Sequence, residues 1–547
     1  MKISRIGLSA AALLSASALV LTGCASGDGG APAPGTSDTP GASTSTGIVT
    51  ANSNEPQNPL YPANTNEVGG GKILDMVFAG LYYYDADGKA IPEVAKSVES
   101  DDATNYTVKL NDGWTFTNGE KVTASSFVDA WQYGALLSNA QLSSYFFETI
   151  DGFSYDKDSK LALNVVDDLT FTVKLSAPEA DWPLRLGYSA FMPLPTEALV
   201  DGKATTAFGE NPIGNGPYML ASADAWQHNV QIDLVPNPDY KGTRTVKNGG
   251  VTLKFYDNQD SAYADLQSDN LDVLDAIPAS AFETFEQTLG DRAINQPSAV
   301  FQSFTIPEKL EHFGGEEGKL RRAALSMAIN RPEITDVIFF KTRTPASDYT
   351  SPVIAGWSDS LAGSDVLKFN ADEAKAKWAE AEKISPYTGT FTIGYNSDGG
   401  HQPWVDAVAN SLKNTLGIKA EGQPYATFAE LRTDVTDRKI KGAFRTGWQA
   451  DYPSMFNFLG PLYATNAGSN DGDYSSPEFD ALLKEGASAK SVDDATGFFQ
   501  KAQEVLLQDL PAIPLWYSNV TGGFSTQVQN VKFGWNSVPL YYEITKD

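Results

Sequence analysis

Apolar residues alternate with polar ones over several short stretches of this chain, and elsewhere they recur every three or four residues. Tyr106, Val108 and Leu110 alternate like one face of a strand. So do Leu161, Leu163 and Val165, and then Leu169, Phe171, Val173 and Leu175, on either side of Asp167-Asp168, which predicts a hairpin. Val230-Ile232-Leu234 and Val251-Leu253-Phe255 predict two more strands with Asn237-Pro238-Asp239 as a turn between them. Phe391-Ile393-Tyr395 and the residues around Phe444 add others. Helical spacing runs from Lys72 to Tyr84 through Ile73, Met76, Val77, Gly80 and Leu81, and predicts a core-facing helix there. It recurs at Phe127 and Trp131 behind Thr123 as N-cap, and at Leu320, Ala324, Met327 and Ala328. Trp404, Val408, Leu412 and Leu416 predict a helix that stops at Gly417, a residue suited to the left-handed position after a helix end. Ser476-Pro477 opens another with Phe479, Leu482 and Leu483 inward, and Phe499, Ala502 and Leu506 mark one more before Pro511. Strands and helices interleaved in this way predict an α/β protein, and no solenoid-type repeat is present.

The amino terminus reads differently. Lys2 and Arg5 precede an apolar run from Ile6 to Leu21 that is too short for an ordinary spanning helix and has the form of a secretory signal. It ends in Leu21-Thr22-Gly23-Cys24, which resembles the bacterial lipobox, and Cys24 is the only cysteine in the chain. Residues 1–23 are therefore expected to be a lipoprotein signal peptide, with Cys24 as the lipidation site that anchors the chain to the outer face of the cytoplasmic membrane. The bland alternative is a plain signal with a leftover thiol. Residues 24–46 are Gly, Ser, Thr, Pro and Ala with few others, a composition that cannot bury enough apolar surface to order itself. Such a tether would hold a folded body about 25 Å from its anchor. No later segment approaches the roughly 18 uninterrupted apolar residues of a spanning helix.

At 547 residues the chain is too long for one hydrophobic core. Its formal net charge of −28 argues against nucleic acid as a partner, because a phosphate backbone needs a Lys/Arg surface. Motifs for chemistry are absent. His228, His312 and His401 are the only histidines, and none pair at i, i+4 as two ligands on one helical face would. Gly69-Gly70-Gly71-Lys72 lacks the first glycine and the hydroxyl of a phosphate loop, so it reads as a flexible entry to a helix. Asp85-Ala86-Asp87-Gly88 lacks the closing glutamate of a calcium loop and reads as a turn. Phe191 stands where a nucleophile elbow at Ser189 would need glycine. No metal and no cofactor are expected, and the chain does not read as an enzyme.

Several stretches together resemble the family 5 extracytoplasmic solute-binding proteins that serve peptide and nickel ABC importers. The resemblance is carried by Gly80-Leu81-Tyr82, Pro92-Glu93-Val94-Ala95, Asn211-Pro212-Ile213-Gly214-Asn215-Gly216-Pro217-Tyr218, Asn237-Pro238-Asp239-Tyr240, Arg322-Ala323-Ala324, Ala328-Ile329-Asn330-Arg331 and Tyr474-Ser475-Ser476-Pro477-Glu478-Phe479-Asp480. Each is weak alone, but in this order and spacing they point to the oligopeptide-binding branch. The resemblance implies a two-lobed periplasmic-binding-protein-like fold of type II with an extra subdomain inserted in the first lobe. By analogy lobe I spans 47–298 plus 511–547, its inserted part about 87–205, and lobe II 299–510. It further implies a monomer that captures oligopeptides in the inter-lobe cleft and delivers them to the permease and ATPase subunits of an importer. The alternative keeps the fold and changes the solute to a nickel chelate, haem or a sugar.

Arg445-Thr446-Gly447-Trp448-Gln449-Ala450-Asp451-Tyr452 resembles the segment in which such proteins hold a peptide. The resemblance implies that Asp451 pairs with the ligand's α-ammonium and that Arg445 receives its carboxylate. Backbone groups around Gly447 and Gln449 would form a short sheet with it. A peptide of any sequence offers only its termini and its regular N–H and C=O groups, which an added strand can read. His401 matches a histidine that helps receive the carboxylate, while Tyr425 and Trp448 match aromatics lining the cleft. The residues taken alone leave other roles open: Asp451 as a turn residue, Arg445 as a surface cation, His401 as a cap, Tyr425 and Trp448 as core. Phe339 stands where the family pattern has a lysine, so Lys341 and Arg343 compete with Arg445 and His401 for the carboxylate.

Overall fold

The computed structural model describes residues 46–256, 258–426 and 428–546. The signal, Cys24 and nearly all of the tether lie outside them. The labelled elements, in chain order, begin with β1 (Ile48–Ser53), α1 (Val68–Val77), β2 (Asn105–Leu110), α2 (Ala124–Ala135), β3 (Leu163–Asp167) and β4 (Thr170–Lys174). Next come β5 (Gln231–Pro236), β6 (Gly250–Phe255), β7 (Ala293–Thr305), α3 (Gly315–Met327), β8 (Thr390–Asn396), α4 (Gln402–Leu416) and β9 (Lys419–Tyr425). The chain ends with α5 (Phe428–Thr436), β10 (Ala443–Gln449), α6 (Met455–Tyr463), α7 (Pro477–Ala487), α8 (Val492–Asp509) and β11 (Ala512–Phe524).

One long mixed sheet carries most strands in the order Tyr218–Leu220, β5, β6, β1, Val273–Leu274, β11, β7, β10, β8, β9. A smaller antiparallel sheet holds Ala95–Glu99, β2, β4 and β3, and its β3–β4 hairpin is the one the alternation predicts. Two strands of 13 residues, β7 and β11, run antiparallel through the middle of the long sheet. Their pairing slips between Pro297 and Val300. There Ala299 donates its N–H to Trp535 O (2.9 Å) and accepts from Ala450 N (2.9 Å).

Apolar side chains gather in separate clusters to either side of this slip. One unites β1, α1, the small sheet, α2, β5 and β6 with the returning residues Val520 to Ile544. Others hold residues between Ala299 and Tyr517 under α3, α4, α6, α7 and α8, joined by Trp535 from the returning chain. Tyr452 crosses over and is buried in the first cluster.

The motif residues hold these elements together. Buried Glu93 accepts from buried Arg244 through Nε (2.8 Å) and Nη2 (3.0 Å) and from the hydroxyl of half-buried Tyr240. Asn215 exchanges hydrogen bonds with both backbone groups of Ala79 (2.9 and 3.0 Å). Arg331, fully buried, donates to Pro514 O (2.8 Å), Leu367 O (2.6 Å) and Ser326. A guanidinium so enclosed spends its fixed fork of donors on carbonyls that would otherwise be orphaned.

Three local expectations need correction. The helix expected over Lys72 to Tyr84 is α1, which starts at Val68 and ends at Val77; Tyr82–Tyr84 is a short strand. Gly214 and Gly216 pass against Val77 so closely that an added Cβ would lie 2.0 and 2.5 Å from backbone oxygens, and Asn215 holds Ala79 extended beyond the helix end. The glycine run is no flexible entry either. It forms the first turn of α1, with the Glu67 carboxylate capping Gly70 N (2.9 and 3.0 Å). The connection between β5 and β6 covers 237–249, longer than the turn at Asn237 alone.

Candidate functional site

Strand β10 lies antiparallel to β7 along Val300–Thr305 on one side. On its other side β8 pairs with it only at Ala443 and Phe444. Among the described residues, the edge from Arg445 to Gln449 therefore has no strand partner, and Gly447 and Gln449 are exposed. An unpaired edge presents a row of N–H and C=O groups ready to accept an extended chain. Side chains alternate along it, which sets Arg445, Gly447 and Gln449 on one face and Thr446 and Trp448 on the other.

A cavity of about 340 Å³ opens at the carboxyl end of this edge. Its walls come from α1 (Lys72, Asp75), from Tyr84 and Tyr188, from Trp535, and from Gln449 to Asp451. Asp451 is half-buried there. Burial pushes its carboxyl up to about 6, against the opposing pull of a hydrogen bond from Asn457 and the more distant charge of Arg185. Arg185 itself is paired with Glu179. Asn457, buried in α6, accepts from Asp451 N (2.9 Å) and Trp448 Nε1 (3.1 Å) and donates to Asp451 Oδ2 (3.3 Å). The residues after Asp451 are fixed as well. Arg185 donates to the Tyr452 hydroxyl (3.2 Å) with its guanidinium 4.9 Å from that ring's centroid, and Ser454 donates to the buried carboxylate of Asp181.

A second cavity of about 190 Å³ lies at the other end of the edge, among Phe301, Phe428, Arg445, Gly447, Trp448 and Tyr463. Arg445 donates Nε to Asn396 Oδ1 (2.9 Å) and lies 4.9 Å over the Phe428 ring. Asn396 ends β8, and its register partner in β9 is Tyr425. His401 stands at the N-cap position of α4, and its Nδ1 accepts from Trp404 Nε1 (3.1 Å), which leaves the ring's own proton on Nε2. A Cβ added at Gly399 would come within 2.6 Å of both Asn396 Nδ2 and His401 Nε2, so the two side chains crowd one glycine. The Tyr425 hydroxyl donates to Asp434 Oδ2 (3.3 Å) in α5.

The fold thus brings Arg445, His401 and Tyr425 to one corner, at the carboxyl ends of parallel strands, and sets Asp451 at the opposite end of β10. Arg445, Gly447 and Trp448 line one cavity, and Gln449 and Asp451 the other. His401 and Tyr425 line neither. Lys341 and Arg343 do not reach β10. Arg343 begins a strand that pairs with β11 on the side away from β7, so two strands separate it from β10. Its guanidinium lies over Phe339 (5.1 Å). Sequence reasoning missed Asn457, Lys72, Asp75, Tyr188 and Trp535. Asn457 had a signal, since Ser454 caps a helix whose first turn brings it back towards Asp451. Tyr188 and Trp535 come from remote parts of the chain and had none.

The family model for bacterial extracellular solute-binding proteins, family 5 Middle, matches residues 89–470, more than half of the chain. The chain belongs to this family. Its curated relatives include the dipeptide-binding protein DppE of Bacillus subtilis, 26% identical over 500 residues that cover 88% of each chain. Among solved structures, the unliganded open form of the periplasmic murein tripeptide binding protein MppA superposes with a TM-score of 0.81 at 20% identity, covering 92% of this chain and 98% of that one. Haemophilus influenzae OppA in complex with RPPGFSPFR gives 0.68 at 21% identity, covering 92% and 99%. The fold is the two-lobed, type II arrangement of these proteins. Among the described residues no helix is long and apolar enough to cross a membrane, and no group of three His, Cys, Asp or Glu side chains is placed to hold a metal ion.

Proposed function

We propose that this protein is the lipid-anchored, extracytoplasmic binding subunit of an ABC importer and that it captures oligopeptides in the cleft beside β10. The observation that carries the reading is the stretch Thr446–Gln449, along which no strand pairs with β10 on this side among the described residues, with an acid beyond its carboxyl end and Arg445 before its amino end. A peptide lying antiparallel to β10 would place its α-ammonium at Asp451 and its carboxylate at Arg445, with His401 behind. Its backbone would complete the sheet against the residues around Gly447 and Gln449. Six residue steps separate Arg445 from Asp451, about 20 Å of strand, which suits peptides of about five residues once the two side chains' reach is subtracted. Trp448 walls the second cavity and would face alternate ligand side chains. Tyr425 supports α5 from behind.

The lobes proposed are about 47–298 with 511–547 and about 299–510, with the insertion at about 87–205. The separation of apolar clusters to either side of the β7–β11 slip supports the division into two lobes, while residues 512–517 pack with the clusters of the second lobe and move the return crossing from 511 to about 518. Closure would bend the chain at Ser298–Ala299. Cys24, through its acyl chains, would keep the monomer beside the permease and ATPase subunits. The protein is read as a carrier with no turnover of its own. Calorimetry with an alanine pentapeptide tests the site: N-acetylation of the peptide, or Asp451→Asn in the protein, should each weaken binding by about tenfold or more, since hydrogen bonds to charged groups contribute roughly 1.5–3 kcal/mol. Equal affinity of the free and the acetylated peptide would remove Asp451 from the site. Mass spectrometry of the ligand released on denaturation would show a sugar or a metal chelate instead, if either were the natural solute.

A further inference from the structure

We infer that the cavity at Asp451 selects peptides whose first residue is lysine or arginine. The inference rests on the peptide reading above and specifies what that site prefers. A ligand whose α-ammonium meets Asp451 has its first side chain on the adjoining Cα, so that side chain enters the same cavity. Three carboxylates line it: Glu67, Asp75 and Asp451. Lys72 is the one cation in the lining, and it is buried against Asp275 and the carbonyl of Asn52 (3.3 Å), so its charge is already met.

The two guanidiniums near the walls are also committed. Arg185 is paired with Glu179, and Arg244 is held by Glu93 at 2.8 Å. Arg244 lies 3.6 Å from Asp75, whose side chain is 57% exposed, and one cation between two acids leaves an excess of one negative charge. With every partner counted, three cations (Lys72, Arg185, Arg244) face six carboxylates (Asp275, Glu179, Glu93, Glu67, Asp75, Asp451), an excess of three. The α-ammonium offsets one. Two remain for a second cation, in a cleft where a closing lobe would lower the local dielectric.

The uncharged walls fit the same ligand. Tyr84 and Trp535 meet edge to face at 5.5 Å and line the cavity together with Tyr188, so three aromatic rings are available to an ammonium or guanidinium there. The cavity at the other end has the opposite balance. Among its described lining residues are two arginines, Arg432 and Arg445, and one carboxylate, Asp471, which pairs with Arg432, so the lining itself is not acidic. Selection for a cation therefore belongs to the first position.

Calorimetric titration of the folded protein with three pentapeptides, Ala-Ala-Ala-Ala preceded by lysine, norleucine or glutamate, tests this. Norleucine matches the apolar stem of lysine without its charge. The lysine peptide should bind about tenfold tighter than the norleucine peptide and the glutamate peptide weakest, with the gap narrowing as salt is raised. In Asp75→Asn, or in Glu67→Gln, which keeps a carbonyl to cap Gly70, the lysine-to-norleucine ratio should fall at least threefold. Lysine and norleucine peptides that bind within twofold of each other would overturn the inference, and so would a ratio untouched by both variants. N-acetylated alanine pentapeptide separates the two levels: if it binds as well as the free peptide, the peptide reading itself fails, whereas a flat response to the first side chain with intact sensitivity to acetylation removes only the preference.

Discussion

At the residue scale, the proposed capture turns on Asp451, the carboxylate that would meet the α-ammonium of a peptide. Burial raises its pKa to about 6, above the ordinary 3.8, so the empty cleft holds it partly protonated near that pH. A ligand ammonium favours the charged form. Binding should therefore release a proton in the window around pH 5 to 6, and affinity should fall as pH drops through about 6. Buffers of different ionisation enthalpy would reveal the released proton calorimetrically. Asn457 acts through Asp451 as a positioning residue, since it orients the carboxylate and stabilises its charged form. Asn457→Ala removes a hydrogen bond that lowers the pKa, so the midpoint of the binding–pH profile should move upward and affinity at neutral pH should drop several-fold. A merely structural role would lower affinity without moving that midpoint.

At the scale of elements, β10 matters because β8 leaves it early. The two strands pair at Ala443 and Phe444 and then part, with Asn396 turned to hold Arg445. Had β8 run five residues further alongside, the edge would be closed through Gln449 and no peptide could join the sheet. Strand addition depends on ligand N–H and C=O groups more than on its side chains. N-methylation of the pentapeptide's inner amides that face β10 should thus weaken binding by about tenfold or more, while exchange of an inner side chain of similar size should cost little; calorimetry of the modified set checks it. The sequence signals that carried the family resemblance sit elsewhere. Asn215, Glu93, Tyr240 and Arg331 bind backbone or one another within the folded body, and each meets a polar group that would otherwise be left unpaired.

For the whole molecule, buried acids set the pH dependence of the empty state. Burial pushes Asp181, Asp348 and Asp451 up to about 6, and carboxylate partners raise His228 from 6.5. A group whose pKa is raised on folding contributes stability in full below its unfolded value and loses it as pH rises through the folded value. For the three acids that window runs from about pH 4 to about pH 6, and for His228 it lies higher, so all four act in one direction. Acidification also relieves a formal net charge of −28. The empty protein should therefore melt a few degrees higher near pH 5 than near pH 8, and scanning calorimetry would detect it. Peptide binding has the opposite dependence over the same range. Taken together, the unliganded receptor gains stability in acid while losing its grip on the ligand.

Periodicity alone placed many of the elements, because a strand or helix that buries one face must repeat that face every two or every three to four residues. Hence the β3–β4 hairpin, α2, α4 and α7 lie where the pattern put them. It marked neither β7 nor β11, the two long central strands. The family resemblance, not periodicity, marked the segment from Arg445 to Asp451, since a resemblance can be read along one continuous stretch. Three things were decided only by tertiary structure: that β10 has an open edge, that Asn457 holds Asp451, and that Glu67, Asp75, Tyr84, Tyr188 and Trp535 share one cavity with it. Those neighbours come from segments up to several hundred residues apart. No local pattern records them, because the sheet's strand order and the packing of two lobes bring them together, and burial then decides which of many acids becomes an anchor.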